Sequence, residues 1–303
     1  MQNTQCLRLP DLYVGKLLEM SDSQLRQVLS DHPKEASVWI RMAAMQGITA
    51  AQIRLGRMLL EGQGLSKNPA AAVTWFQRAA DSGDDDAINM LGRCYENGWG
   101  VMVNPELAFQ HYLRAAQLAN AWAQYNLGHC YLDGNGTQRD LYRAFFWYGQ
   151  AVTQGHGRAM NLLARCYEEG WGVARDMSMA YHWYQKSAES GYFRGQFNWA
   201  SVLADTGQTQ AAAEWFLQAA RNGTQNVRRT VANVLRASRD AELQAFGLTA
   251  LEYCCEHGDA QDCYRYAQAL LTAGAGKPEL DKAEFWLQRA EALSRESANL
   301  AAS

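Results

Sequence analysis

The groups best suited to covalent or metal chemistry in this chain are its seven cysteines and six histidines. Cys254, Cys255, His257 and Cys263 bring three thiols and an imidazole into one short stretch. Zinc sites recruit such groups, but with a characteristic ligand spacing that Cys-Cys-x-His followed by a distant cysteine does not match, so no metal is expected. Cys94, Cys130 and Cys166 recur at a fixed interval, at a position where other segments carry Met58, Val202, Val234 and Ala269. Those substitutes mark a small buried hydrophobe, and a free cysteine packs as one. Cys254 and Cys255 stand where other segments carry paired alanines. The histidines assemble no acid–base pair. His111 and His182 lie beside an aromatic stripe, and His32, His156 and His257 lie near expected helix ends. No P-loop, His-Glu-x-x-His or Gly-x-Ser-x-Gly sequence is present. The chain is expected to have no catalytic residues, to bind no cofactor and not to be an enzyme.

Residues suited to recognition form columns. Segments beginning at Ala51, Ala87, Ala123, Ala159 and Gly195 repeat at a 36-residue period, the mark of a stacked helical array. Within each, positions 5, 6, 8 and 9 are apolar or small and should pack. Positions 3, 7 and 10 share another helical face. Position 7 reads Arg57, Arg93, His129, Arg165 and Ser201, and position 3 reads Ile53, Asn89, Tyr125, Asn161, Phe197 and Arg229. Position 10 reads Leu60, Glu96, Leu132, Glu168, Ala204 and Arg236. Asn can bond a peptide backbone at both N–H and C=O, and Arg can fork onto a carboxylate. The same residues could instead satisfy one another on a wet helix face, where ion pairs contribute about 0–1 kcal/mol. Trp99 and Trp171 stand between the two glycines of alternate turns, 72 residues apart. They read either as lids over a helix end or as exposed anchors, since Trp is favoured at binding hot spots.

The elements that must position these groups are helix pairs. Helix A ends at a Gly-x-Gly turn: Gly62/Gly64, Gly98/Gly100, Gly134/Gly136, Gly170/Gly172. A column of caps follows, Asn68, Asn104, Asp140 and Asp176, whose oxygens can accept from free amides of helix B. Pro69 and Pro105 take the first helical position, where no N–H is needed. Helix B carries Trp75-Phe76, His111-Tyr112, Trp147-Tyr148, Trp183-Tyr184 and Trp215-Phe216 among alanines, one apolar face. Gly83, Gly155, Gly191 and Gly223 suit left-handed helix stops, and Asn120 is expected to replace glycine after Ala119. Eight helix pairs are counted: a degenerate cap over 1–48, a regular array over 49–223, divergent repeats over 224–294 and a frayed tail over 295–303. Four residues are missing between Ala200 and Ala212, a contracted turn near Thr206.

Composition limits the partners. Of 303 residues, 48% are hydrophobic and 19% charged, ordinary for a folded protein. A net charge of −3, with basic residues dispersed among acidic ones, excludes nucleic acid as the main partner. No apolar stretch is long enough to span a bilayer, so no direct membrane insertion is expected. The first residues lack a signal-peptide pattern, which points to the cytoplasm.

These repeats resemble the Sel1-like repeat family, relatives of tetratricopeptide repeats: an Ala, then Leu-Gly, then Tyr, a Gly-x-Gly turn, a polar cap and an aromatic second helix ending in Ala-Ala and Gly. The likeness is strongest over 49–223 and extends over 35–294. It implies an all-α, right-handed α/α superhelix whose A helices line the concave side. It also implies scaffold or adaptor work, in bacteria often linked to signalling, secretion or envelope assembly, and it supplies no catalytic residues. Some relatives are stapled by disulfides. Equivalent residues of successive units should stand at least ~10 Å apart, beyond the reach of about 7 Å that a disulfide allows, so structural thiols are expected. The favoured reading is an adaptor holding a protein or peptide at Arg57, Asn89, Arg93, Glu96, Tyr125, His129, Asn161, Arg165, Glu168, Phe197 and Arg229, with Trp99 and Trp171. The alternative is a receptor for a small anion such as a nucleotide, gripped by Arg57, Arg93, Arg165 and Arg229.

Overall fold

The computed structural model describes residues 33–272 and 277–302, together with Gln27 and Asp31. Among them lie fifteen helices and no strand. Helix α1 (Pro33–Met45) is the B helix of a unit whose first half, with His32, lies outside the described residues. Four complete pairs follow in the regular pattern: α2 (Thr49–Glu61) with α3 (Pro69–Asp81), α4 (Asp85–Asn97) with α5 (Pro105–Gln117), α6 (Ala121–Asp133) with α7 (Leu141–Val152), and α8 (Gly157–Glu169) with α9 (Met177–Glu189). Then come α10 (Phe193–Asp205) with α11 (Thr209–Asn222), α12 (Gln225–Ala237) with α13 (Ala241–His257), and α14 (Ala260–Thr272) with α15 (Lys277–Ala302). The chain is an all-α helical-repeat solenoid. It divides into two compact units, Met1–Ala151 and Val152–Ser303.

The period has a direct origin in element lengths. A 13-residue A helix, a seven-residue turn, a 13-residue B helix and a three-residue turn make one repeat, as in α2 and α3. The A helices begin two residues before the alanines that mark the register. Each regular A helix stops on a left-handed glycine, Gly62, Gly98, Gly134 or Gly170, whose N–H bonds the carbonyl of position 8. The next glycine of the turn is needed for space as well. A Cβ on Gly100 would stand 2.3 Å from the Pro69 carbonyl oxygen, and one on Gly136 2.0 Å from that of Pro105. The turn therefore rests directly on the preceding B-helix backbone, which no side chain could permit.

The B helices start as expected. Asn68, Asn104, Asp140 and Asp176 each accept from the amide three residues on, at 2.9–3.0 Å. The second aromatic of each pair fills the core: Phe76, Tyr112, Tyr148, Tyr184 and Phe216 are buried, while their Trp or His neighbours are half-buried. Phe76, Tyr112 and Tyr148 close onto position 6 of the A helix, where a Cβ on Gly56, Gly92 or Gly128 would lie 2.5–2.6 Å from a ring carbon.

Three local expectations are corrected. Ala119 itself takes the left-handed conformation, with φ 64°. Asn120 is instead the N-cap of α6, accepting from Ala123 N at 2.8 Å while its amide donates to Asp85 and Asp86. Capping and this link to the previous A helix fix Asn120 in extended backbone, so the residue before it must turn. Gly223 is extended, with φ −87° and ψ 173°, and its lack of a side chain makes room for Ala219 O and Val227. Helix α15 continues through the expected tail to Ala302. The contraction near Thr206 is a three-residue turn, Thr206-Gly207-Gln208, in which the Thr206 hydroxyl donates back to Val202 O.

Candidate partner-binding face

In the first compact unit, α4 brings Asn89, Arg93 and Glu96 onto one face, as the i, i+4, i+3 spacing requires. They do not form a self-contained triad. Glu96 accepts from the Tyr112 hydroxyl of α5 at 2.8 Å. Asn89 is buried and accepts from the Asn126 amide of the next A helix at 3.0 Å. Arg93 is exposed and stacks its guanidinium over the Trp99 ring, 5.0 Å from the centroid. On α6, Tyr125 and His129 meet edge to face at 4.7 Å, and His129 also packs against Tyr148 at 5.7 Å. Arg57 is half-buried on α2.

The second unit repeats the arrangement. Glu168 accepts from the Tyr184 hydroxyl at 2.5 Å, Asn161 accepts from Asn198 at 2.8 Å, and Arg165 stacks over Trp171 at 4.8 Å. Burial raises the Tyr112 and Tyr184 phenols above their ordinary value, and the Glu acceptor adds to it in both units. Trp99 and Trp171 are thus half-buried partners of a cation, with one indole face occupied by an arginine.

Reading along the chain missed these pairings, although their signal is present. Arg and Trp stand six residues apart in the two units that have both, whereas the flanking units carry Arg57 with Gln63 and His129 with Asn135. Glu at position 10 stands with Tyr112 and Tyr184 on helix B, and Leu at that position with Phe76 and Tyr148.

Arg229 is placed differently from the rest of the column. Its guanidinium forks onto the buried Asp262 carboxylate at 2.8 and 2.6 Å and also reaches Asp259 at 2.7 Å. This ion pair joins α12 to α14 and commits the cation that both readings had offered to a ligand.

An open pocket of about 310 Å³ lies on the A-helix face of the second unit. It is lined by Asn161 and Arg165 of α8, Arg194, Phe197 and Asn198 of α10, and Val227 and Thr230 of α12. Asn161, Arg165 and Phe197 were expected on this face, whereas Arg194, Asn198, Val227 and Thr230 were not. No sequence motif marks the latter, because α12 belongs to the divergent region.

The thiols are packing groups. Cys94, Cys130 and Cys166 are buried, and burial pushes them up to about 11, 12 and 12, so none is a thiolate at neutral pH. Around Cys254 and Cys255, Cys263 points its thiol at Cys255 O, and His257 sits against Tyr253 O. Among the described residues no three His, Cys, Asp or Glu side chains are placed to share a metal ion, and no helix is long and apolar enough to cross a membrane.

Comparison with known proteins places these features in a group. The family described as Sel1 repeat matches residues 49–84, 85–120, 123–156, 157–192, 194–224 and 260–294. The stretch 225–259, which holds α12 and α13, lies between matches. Among solved structures, a Sel1 repeat protein from Oxalobacter formigenes is 26% identical, with 77% of this chain and 95% of that one covered and a TM-score of 0.65. A protective antigen present in uropathogenic Escherichia coli strains, displaying an SLR fold, is also 26% identical, with a TM-score of 0.58. The match covers 89% of this chain but only 60% of the antigen's length. A comparison with curated proteins finds no match.

Proposed function

The chain belongs to the Sel1 repeat family, and on that premise we propose that it is a non-enzymatic scaffold or adaptor holding a protein or peptide partner on the face carried by its A helices. Sel1 repeat proteins are generally protein-interaction scaffolds, and the fold is typically non-catalytic. The observation that carries the reading to a particular surface is the repeated Arg-on-Trp arrangement beside inter-unit asparagines, at Arg93/Trp99 and Arg165/Trp171. A guanidinium held over an indole is oriented in advance and loses less freedom when it binds. The aromatics Tyr125 and Phe197, at the same position of the following A helices, add apolar contact beside these cations. The six cysteines among the described residues are free and buried, which suits a reducing compartment and supports a cytoplasmic location.

The test is affinity capture from native lysate with the wild-type chain beside Arg57→Glu/Arg93→Glu/Arg165→Glu, both shown equally helical by circular dichroism. A protein held by the wild type and lost by the variant is expected. A partner retained equally by both would move the site off this face. If only a small anion binds, seen as a ligand-dependent rise in melting temperature, the scaffold reading fails.

A further inference from the structure

We propose that the pocket between α8, α10 and α12 is a subsite for an acidic side chain of an extended peptide, a refinement that rests on the scaffold reading above. Three features support it. First, Arg165 and Arg194 are both exposed and border the pocket, and no carboxylate is among its lining residues. Asp262 is paired with Arg229, and Glu168, outside the lining, accepts from the Tyr184 hydroxyl and keeps its charge. A carboxylate entering the pocket meets two cations and no carboxylate in its lining. Second, the bond from Asn198 Nδ2 to Asn161 Oδ1 fixes both amides. It leaves Asn161 Nδ2 as a donor and Asn198 Oδ1 as an acceptor, and among the described residues neither has a partner. One N–H and one C=O side by side complement a peptide backbone. Third, Phe197 and Val227 are half-buried and line the pocket, an apolar contact for the residue next to the acid.

The pocket is local to this part of the array. At position 7, α10 carries Ser201 where α8 carries Arg165, and its three-residue turn has no counterpart of Trp171. In the first unit, Trp122 occupies the place of Arg194 in the register, so that copy of the asparagine pair has one cation fewer beside it.

The experiment is selection of a phage-displayed random-peptide library on the full-length chain, followed by synthesis of the winners with acetylated and amidated ends. The expected winners share an Asp or Glu, and their binding weakens as salt is raised. Replacing that acid by its amide, or introducing Arg165→Gln/Arg194→Gln, weakens them by at least about tenfold. Arg194→Gln alone leaves the Arg165–Trp171 stack intact and should still weaken them, which separates loss of the site from loss of local packing. Unchanged thermal melting of both variants completes the control. Winners without an acid, or acidic winners bound equally by the variants, would overturn the pocket while leaving the scaffold reading standing. Loss of binding on amidation of the C-terminus would overturn the side-chain assignment. A selection that yields no binder would overturn the subsite, and the scaffold reading would then be judged by the capture experiment alone.

Discussion

At the residue scale, the repeat is governed by which positions can carry a side chain at all. Position 6 faces the buried ring of helix B, and an added Cβ at Gly92 would lie 2.6 Å from Tyr112 Cε1. Tyr112 is fully buried and its hydroxyl is tied to Glu96, so it has little room to retreat. Gly92→Leu should cost at least the ~1–3 kcal/mol typical of an overpacked core. Thermal melting followed by circular dichroism checks this, and Ala substituted at the exposed Gln110 serves as a control expected to melt like the parent. A Gly92→Leu protein as stable as the parent would show that position 6 does not face the Tyr112 ring. The requirement was legible in the sequence, because position 6 holds Gly56, Gly92, Gly128, Ala164, Ala200 and Ala232 in register. The stacking of Arg93 on Trp99 was not, because a single chain supplies spacings but not rotamers, and the alternation becomes informative only once both side chains are placed.

At the element scale, helix ends show how far local chemistry can be read. Four of the B helices announce their caps with Asn or Asp in one column, and all four accept the expected amide. The A helices use Asp84, Asn120 and then His156, a series too varied to stand out. His156 accepts from Ala159 N through Nδ1 at 3.1 Å, which requires that nitrogen to be unprotonated. Burial, aided by the nearby Arg158 charge, lowers its pKa from 6.5 to about 4. Between those values the unfolded chain takes up a proton that the folded chain refuses. Stability contributed by this residue is therefore complete above about pH 6.5 and is lost as pH falls toward about 4. Asn at this position keeps a capping oxygen, as Asn120 does, and does not titrate. Near pH 5, His156→Asn should exceed the wild type in stability by on the order of 1 kcal/mol, and near neutral pH the two should differ little. Urea denaturation at both pH values reads the difference. A constant offset between the proteins across the range would show that His156 does not hold the cap in its neutral form.

At the scale of the whole chain, a repeat array is stabilised by the sum of its units and their nearest-neighbour interfaces, so one weakened interface should loosen one end rather than the entire molecule. The regular units are joined by recurring bonds such as Asn89–Asn126 and Asn161–Asn198, and their period made the fold legible from sequence. The unit holding α12 and α13 lies between family matches, and its link to α14 is a different device. The Asp262 carboxylate is buried and receives Arg229, Gln225 and the Asp259 amide. Alone, Arg229 looked like another member of the recognition column, because its partner lies 33 residues away in a segment whose register is degenerate. Burial pushes the Asp262 carboxyl up, but the bonds from Arg229 and Gln225 outweigh it, and the net direction is below the usual 3.8. The link is therefore fully present above that value and weakens as pH falls below it through the depressed folded-state value. Arg229→Gln leaves the buried carboxylate with weaker partners. With Arg229 partly exposed, the cost should fall between those of exposed and buried pairs, roughly 1–3 kcal/mol. Because α14 and α15 depend on this interface, hydrogen exchange should accelerate in these two helices and change little in α8 and α9. At strongly acidic pH, where Asp262 is protonated, wild type and variant should exchange alike. Uniform acceleration across every helix would instead mean that the array unfolds as a single cooperative block, and that this ion pair is not the local clasp of its C-terminal repeat.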